Sequence, residues 1–216
     1  ASVRPFDGRR LPLIIGSFQS GEQPLQIVTY PHPTLRHKSK PIRRVDSELK
    51  ALVGQMFELM YQAEGVGLAA NQVDLPFRLF VVNEKADPEK GDELVFINPV
   101  LSRPKLNEQR EEGCLSLPEL YGEVQRPEKI QVEAYNLQGE LFQGELSGLL
   151  GRIVQHETDH LDGVLFTDRL SETGAIKARP ALDEFELDFE SRRRTGELPT
   201  DEEIAARLTE LEEKYC

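Results

Sequence analysis

A chain of 216 residues is long enough for one domain with a sizeable core and short for two, so a single domain with appendages is expected. Its 26 Lys and Arg against 38 Asp and Glu give a formal charge of −12, which repels phosphate backbones and anionic lipid surfaces, so neither nucleic acid nor a membrane is expected as a partner. Two cysteines, Cys114 and Cys216, suggest no disulfide framework, and no stretch approaches the roughly 18 apolar residues of a membrane span, so a soluble protein of a reducing, bacterial-type cytosol is expected.

Residues 1–26 carry little periodicity and read as an N-terminal extension; the short apolar run at 9–18, broken by Pro12 and preceded by Asp7, makes a poor secretion signal. After the proline-punctuated YPHPTLR (30–36), Asp46 is placed to cap a helix. Glu48 stands in its first turn, and Leu49, Leu52, Val53, Met56, Leu59 and Met60 follow at helical spacing, with Gly65 where the helix would stop. FRLFVVN (77–83) and ELVFINP (93–99) read as strands around a loop, and KIQVEAYN (129–136) and ELFQGEL (140–146) as a hairpin across Leu137, Gln138 and Gly139.

The period then turns helical. Ser147 is placed to cap a helix through GLLGRIVQHETDHL, where Leu149, Ile153, His156 and His160 share one stripe and Leu150, Val154, Glu157 and Leu161 the next, an apolar breadth that predicts burial. From Asp183 the chain becomes strongly charged, which predicts a linker. Thr200 and Glu203 then form a capping box for a terminal helix striped by Ile204, Leu208, Leu211 and Tyr215.

QHETDH (155–160) sets two histidines one helical turn apart, so both imidazoles reach one ion, while Glu157 points aside toward water bound there. A catalytic ion usually has three protein ligands and an open position. Asp162, Asp168 and Glu172 are available downstream, and Cys114 in EEGCLSLPEL (111–120) upstream. A buried cysteine is most often a small hydrophobe, but as the only non-terminal thiol beside two imidazoles it makes a natural ligand for zinc or ferrous iron. GVGLAANQV (65–73) alone is weak: without a strand before it, the glycines spell no dinucleotide site.

Together GVGLAANQ (65–72), EGCLS (112–116) and QHETDH (155–160) resemble the three motifs of the peptide deformylases, in order, with similarity running from about Ile27 to Leu170. The resemblance implies an α+β fold of mostly antiparallel β-sheets around a central metal-binding helix, with a C-terminal helix. It implies a catalytic domain over 27–182, leaving 183–216 as charged linker and terminal helix. It also implies removal of the formyl group from N-formylmethionyl nascent peptides. Cys114, His156 and His160 would be the metal ligands and Glu157 the acid–base, with Gln72 and the Leu115 N–H on the oxyanion. Val66, Gly67 and Glu112 would line the substrate cleft, and Val66, Leu149 and Ile153 the methionine pocket. The implied cofactor is one divalent ion, Fe2+ in the cell, with Zn2+, Ni2+ or Co2+ in preparations.

Two departures stand out. Some relatives carry an arginine beyond the cysteine motif, where this chain reads ELYGEVQR with Leu120 and Tyr121. Some bacterial members dock a basic terminal helix on the ribosome, whereas this tail is mixed in charge. It is expected to pack on its own domain and to meet the ribosome at most transiently. The competing readings are a general metallopeptidase using a downstream carboxylate, and a structural metal module that leaves Glu157 and Gln72 without a role.

Overall fold

A computed structural model describes residues 4–5 and 25–216, so most of the expected N-terminal extension lies outside the described residues. The elements run β1 (Arg4–Pro5), α1 (Ser47–Gln62), β2 (Gly67–Ala69), β3 (Leu79–Val82), β4 (Leu94–Lys105), β5 (Glu108–Cys114), β6 (Leu117–Arg126), β7 (Lys129–Tyr135), β8 (Leu141–Ser147), α2 (Gly148–Leu161), α3 (Glu172–Arg194) and α4 (Asp201–Tyr215). Short 3-10 turns cover Pro33–Arg36, Ala70–Val73 and Phe166–Arg169.

One sheet has the order β1-β8-β7-β4-β3-β2, antiparallel throughout except where β1 joins β8, and β5 and β6 form a separate hairpin. Successive residues of a strand face opposite sides, and β3 serves two cores by that alternation. Leu79 and Val81 join Val53, Met56 and Met60 of α1, while Phe80 and Val82 join Ile153, Val154 and Leu161 of α2. A third cluster, with Leu35, Leu117, Val124, Phe166 and Ala178, fastens the β5–β6 hairpin to α3. The α+β class expected from sequence holds, with α2 between the large sheet and this hairpin.

Local chemistry explains most of the boundaries. Asp46 caps α1 by accepting the Leu49 N–H at 2.9 Å. Beyond the C-cap Ala63, the Glu64 and Gly65 N–H groups bond to the carbonyls of Tyr61 and Met60, a Schellman closure. The left-handed residue is Glu64 (φ 54°), one position before the glycine that looked like the stop. Gly65 meets a different demand, since a Cβ there would lie 2.7 Å from Leu115 Cδ1. Ser147 occupies the N-cap of α2, but its side chain makes no capping bond.

One feature goes beyond the sequence expectation and one departs from it. EEGCLSLPEL lies across the β5–β6 hairpin, whose two-residue turn is Leu115–Ser116. The break expected at 183 is absent, because α3 runs unbroken from Glu172 to Arg194. Charge alone does not end a helix: Arg179 pairs with Asp183 and Glu186 along the exposed face, and termination waits for Gly196 (φ 74°). The terminal helix α4 packs on the domain through Ile204, Leu208 and Tyr215, with the Tyr215 ring 4.8 Å from that of Phe77. Among the described residues, no helix is long and apolar enough to cross a membrane.

Candidate metal centre and substrate cleft

The site forms where the end of β5 meets α2. His156 and His160 stand one turn apart on α2, their ring centroids separated by 5.0 Å, and Cys114, the last residue of β5, faces them. Ligand atoms of all three lie within 4.8 Å of one another, with Cys114 Sγ 3.2 Å from His160 Nε2. A thiolate and two imidazoles around one point suit zinc or ferrous iron, and three protein donors leave a position open. The downstream carboxylates are occupied elsewhere: Asp162 with Arg78 at 2.7 Å, and Asp168 with Arg36 and the Leu165 N–H, while Glu172 sits exposed in the first turn of α3.

Behind the candidate ligands lies a buried ion network. His156 Nδ1 is 3.0 Å from Glu112 Oε2, which turns the other ring nitrogen toward the cluster, as a carboxylate behind a ligating histidine does. Arg126 grips Glu112 with Nε and Nη2 at 2.6 and 2.9 Å and Asp159 with Nη1 at 2.6 Å, and Arg152 adds a bond to Glu112 at 2.6 Å. Burial would raise the Glu112 carboxyl, but the bonds from His156 and Arg126 outweigh it and hold the group well below the usual carboxylate range. Glu112 thus borders the cleft, with its carboxylate committed to the network.

Glu157 is 4% exposed and its Oε2 has no hydrogen-bond partner, an uncompensated buried acceptor that invites a ligand. Burial, only partly opposed by His156 and Arg126, pushes its carboxyl up to about 7. Gly67 makes room for it, since a Cβ there would fall 2.5 Å from Glu157 Oε1 and 2.8 Å from Ile153 Cγ2. Gln72 is 1% exposed: its Oε1 accepts the Ala69 N–H at 2.8 Å, which aims Nε2 at Ser116 Oγ (3.2 Å) and Cys114 Sγ (3.4 Å). Leu115 stands in the hairpin turn, outside the ladder that pairs Cys114 with Leu117.

An open cleft of about 610 Å³ joins these groups, lined by Val66, Gly67, Gln72, Leu115, Leu149 and Ile153 beside Cys114, His156 and Glu157. The segment around YPHPTLR holds the three motifs together. The Val28 N–H donates to Gln72 O at 2.8 Å, the Tyr30 N–H to Ser116 O at 2.9 Å and the Ser39 N–H to Leu161 O at 2.9 Å. Sequence reasoning missed this stitching and the roles of Arg126, Arg152 and Asp159. The available signal was a pair of ionisable residues, 152 and 159, inside a helix otherwise patterned for burial.

A helix-borne pair of histidines, closed by a hairpin cysteine and flanked by a buried carboxylate with one unpartnered oxygen and a carboxamide aimed at the cysteine, defines a metal-dependent hydrolase. The polypeptide deformylase family model matches residues 24–175, and the chain belongs to that family. It is 47% identical over 192 residues to a peptide deformylase of Rhodopirellula baltica, covering 89% of this chain and 96% of the relative. It is 44% identical over 185 residues to the chloroplastic peptide deformylase 1B of Solanum lycopersicum, covering 85% of this chain and 65% of that one. A plant peptide deformylase crystal structure superposes with a TM-score of 0.77 at 42% identity, over 85% of this chain and 99% of that one. A Plasmodium falciparum peptide deformylase reaches 0.75 at 38% identity, over 77% and 98%.

Proposed function

We propose that this protein removes the formyl group from the N-terminal formylmethionine of nascent polypeptides and releases formate. The observation that carries this reading is the meeting, in one cleft, of the Cys114–His156–His160 donor set, the unpartnered Glu157 oxygen and the aimed Gln72 amide. The donor set fits a divalent ion held by Cys114, His156 and His160, Fe2+ in the cell, with Zn2+, Ni2+ or Co2+ able to take the same ligands in preparations. When bound, such an ion supplies a Lewis acid that acidifies water and polarises the formyl oxygen.

Glu157 takes the proton from the attacking water and returns it to the departing amine, and its buried, unpartnered Oε2 is free for both transfers. As the water oxygen bonds to the formyl carbon, charge grows on the formyl oxygen. Gln72 Nε2 and the Leu115 N–H donate to it, after which the carbon–nitrogen bond breaks. Gly67 and Val66 run along the peptide, and Val66, Leu149 and Ile153 wall the pocket for the methionine side chain. Room for only a hydrogen beyond the formyl carbon would exclude larger acyl groups.

The protein works in a reducing, bacterial-type cytosol that keeps Cys114 a free thiol. Its contact with the ribosome is transient, because the apolar stripe of α4 is already spent on its own domain. The test is formate release from an N-formylmethionyl peptide under anaerobic ferrous conditions, with acetylated and free-amine peptides as controls. Absence of formate from folded, metal-loaded protein defeats this reading.

A further inference from the structure

We propose that Asn71 and Ser39 are positioning residues for His160, holding its rear ring nitrogen through one buried water, an inference that rests on the Cys114–His156–His160 metal site of the deformylase reading. The two histidines of α2 are supported unequally. His160 Nε2 lies 3.2 Å from Cys114 Sγ, so Nε2 is the ligand atom and Nδ1 is turned away from the site. An imidazole that gives its Nε2 lone pair to a cation carries its proton on Nδ1, and that N–H needs an acceptor when it is buried. For His156 the acceptor is Glu112, 3.0 Å from Nδ1. For His160, which is 1% exposed, the buried Nδ1 has no partner among the described residues.

Two more orphaned polar atoms are buried at the same end of α2. Asn71, 0% exposed, donates Nδ2 to the His160 carbonyl, and Ser39, 4% exposed, donates its backbone N–H to the next carbonyl, that of Leu161, at 2.9 Å. A carbonyl accepts only from an N–H, so the bond to His160 fixes which arm of the Asn71 amide is nitrogen and leaves Oδ1 as a buried acceptor with no partner. Ser39 Oγ has no partner either. The three atoms are therefore one donor, one acceptor and one hydroxyl, on side chains tied to consecutive residues of α2. No two of them bond directly, so what completes them is a small group that both accepts and donates. One water does this: it accepts from His160 Nδ1–H and Ser39 Oγ–H and donates to Asn71 Oδ1, about the three bonds that a buried water makes. It steadies His160 from behind as Glu112 steadies His156, without a charge.

The test titrates the full chain with Zn2+ against a chromogenic chelator and compares it with Ser39→Ala and Asn71→Leu, which remove polar atoms with little change in volume. Each is expected to weaken Zn2+ binding roughly tenfold, as loss of a hydrogen-bond partner behind a ligand does. The double variant should lose little more than either alone, because both residues act through the same water. In proton NMR of the Zn2+ form, the His160 Nδ1–H resonance should shift or broaden into exchange with solvent in both variants, while that of His156 stays in place. Ser39→Thr and Ser39→Val share a shape and differ by a hydroxyl, so Ser39→Thr should keep the affinity that Ser39→Val loses, whatever their common effect on packing. A lowered thermal midpoint of the metal-free variants, with Zn2+ affinity and the His160 resonance as in the parent, means packing alone and overturns the inference. Equal affinity in Ser39→Thr and Ser39→Val overturns it too. A parent chain that binds no Zn2+ defeats the metal-site reading itself, a different result from tight binding that the variants leave unchanged.

Discussion

At the residue scale, the division of labour at the centre is testable because the proposed base is not a ligand. Glu157→Gln keeps the shape of the side chain and all three donors. It should keep the metal while losing about 10²–10⁴ in kcat, the usual share of a positioned acid–base. Metal analysis beside formate release separates the two effects, and a variant with most of its turnover removes Glu157 from the mechanism. Gln72→Ala should cost about 10²–10³ in kcat with metal retained, as loss of one oxyanion donor does. Gly67→Ala approaches the same carboxylate from the other side. A methyl 2.5 Å from Glu157 Oε1 must displace it, so activity should fall although no ligand, donor or base has been changed.

At the element scale, the hairpin β5–β6 is held on α2 by charge as much as by packing, with Arg126 clamping Glu112 of β5 to Asp159 of α2. Arg126→Met would leave two carboxylates buried with reduced compensation, a change that costs about 3–5 kcal/mol when a buried pair loses one partner. Freed from Arg126, Glu112 orients His156 less firmly, and metal affinity should drop about 10–100-fold. Urea unfolding and a metal titration check the two effects; unchanged metal affinity would mean that Glu112 needs no clamp. The network also marks where reading the sequence stops working. The caps of α1 and α4 and the β7–β8 hairpin were legible because each depends on a few adjacent residues. The β5–β6 hairpin was not, since Leu115–Ser116 carries no glycine or asparagine turn signal and its strands are studded with glutamates. Residue type and spacing single out Cys114, His156 and His160, which the structure brings together, whereas Arg126 and Arg152 carry no such signal because charged side chains are surface residues by default. The charges of α3 misled in the opposite direction, reading as linker where they pair along a continuous helix.

At the scale of the whole molecule, the C-terminal helices join the catalytic scaffold through His32, which is 4% exposed beneath them. Its Nδ1 accepts the Thr34 N–H at 3.4 Å, its ring meets Phe189 of α3 edge-on at 6.2 Å, and the nearby Asp74 is committed to Arg207 of α4 and to the Thr34 hydroxyl. Burial, reinforced by Arg207 and Arg193 against Asp201, pulls the imidazole down to about 4. In the unfolded chain the same group titrates near 6.5, so between these values the unfolded state binds the extra proton. The stability this neutral histidine secures is complete above about pH 6.5 and lost as the pH falls toward 4, a change of about 2–3 kcal/mol. His32→Asn keeps a capping acceptor for the Pro33–Arg36 turn and removes the titration. Its thermal midpoint should therefore vary less than that of the parent between pH 7 and 4.5. Hydrogen exchange in the parent should show protection lost first in α3 and α4, the helices whose side chains close over the ring. Identical pH slopes for the two proteins would move the acid-sensitive contact elsewhere, though not to the Lys40–Glu212–His37 cluster under α4. There the Glu212 carboxyl is held below its ordinary value by Lys40 and His37 against the opposing effect of burial, so its contribution fades only at lower pH.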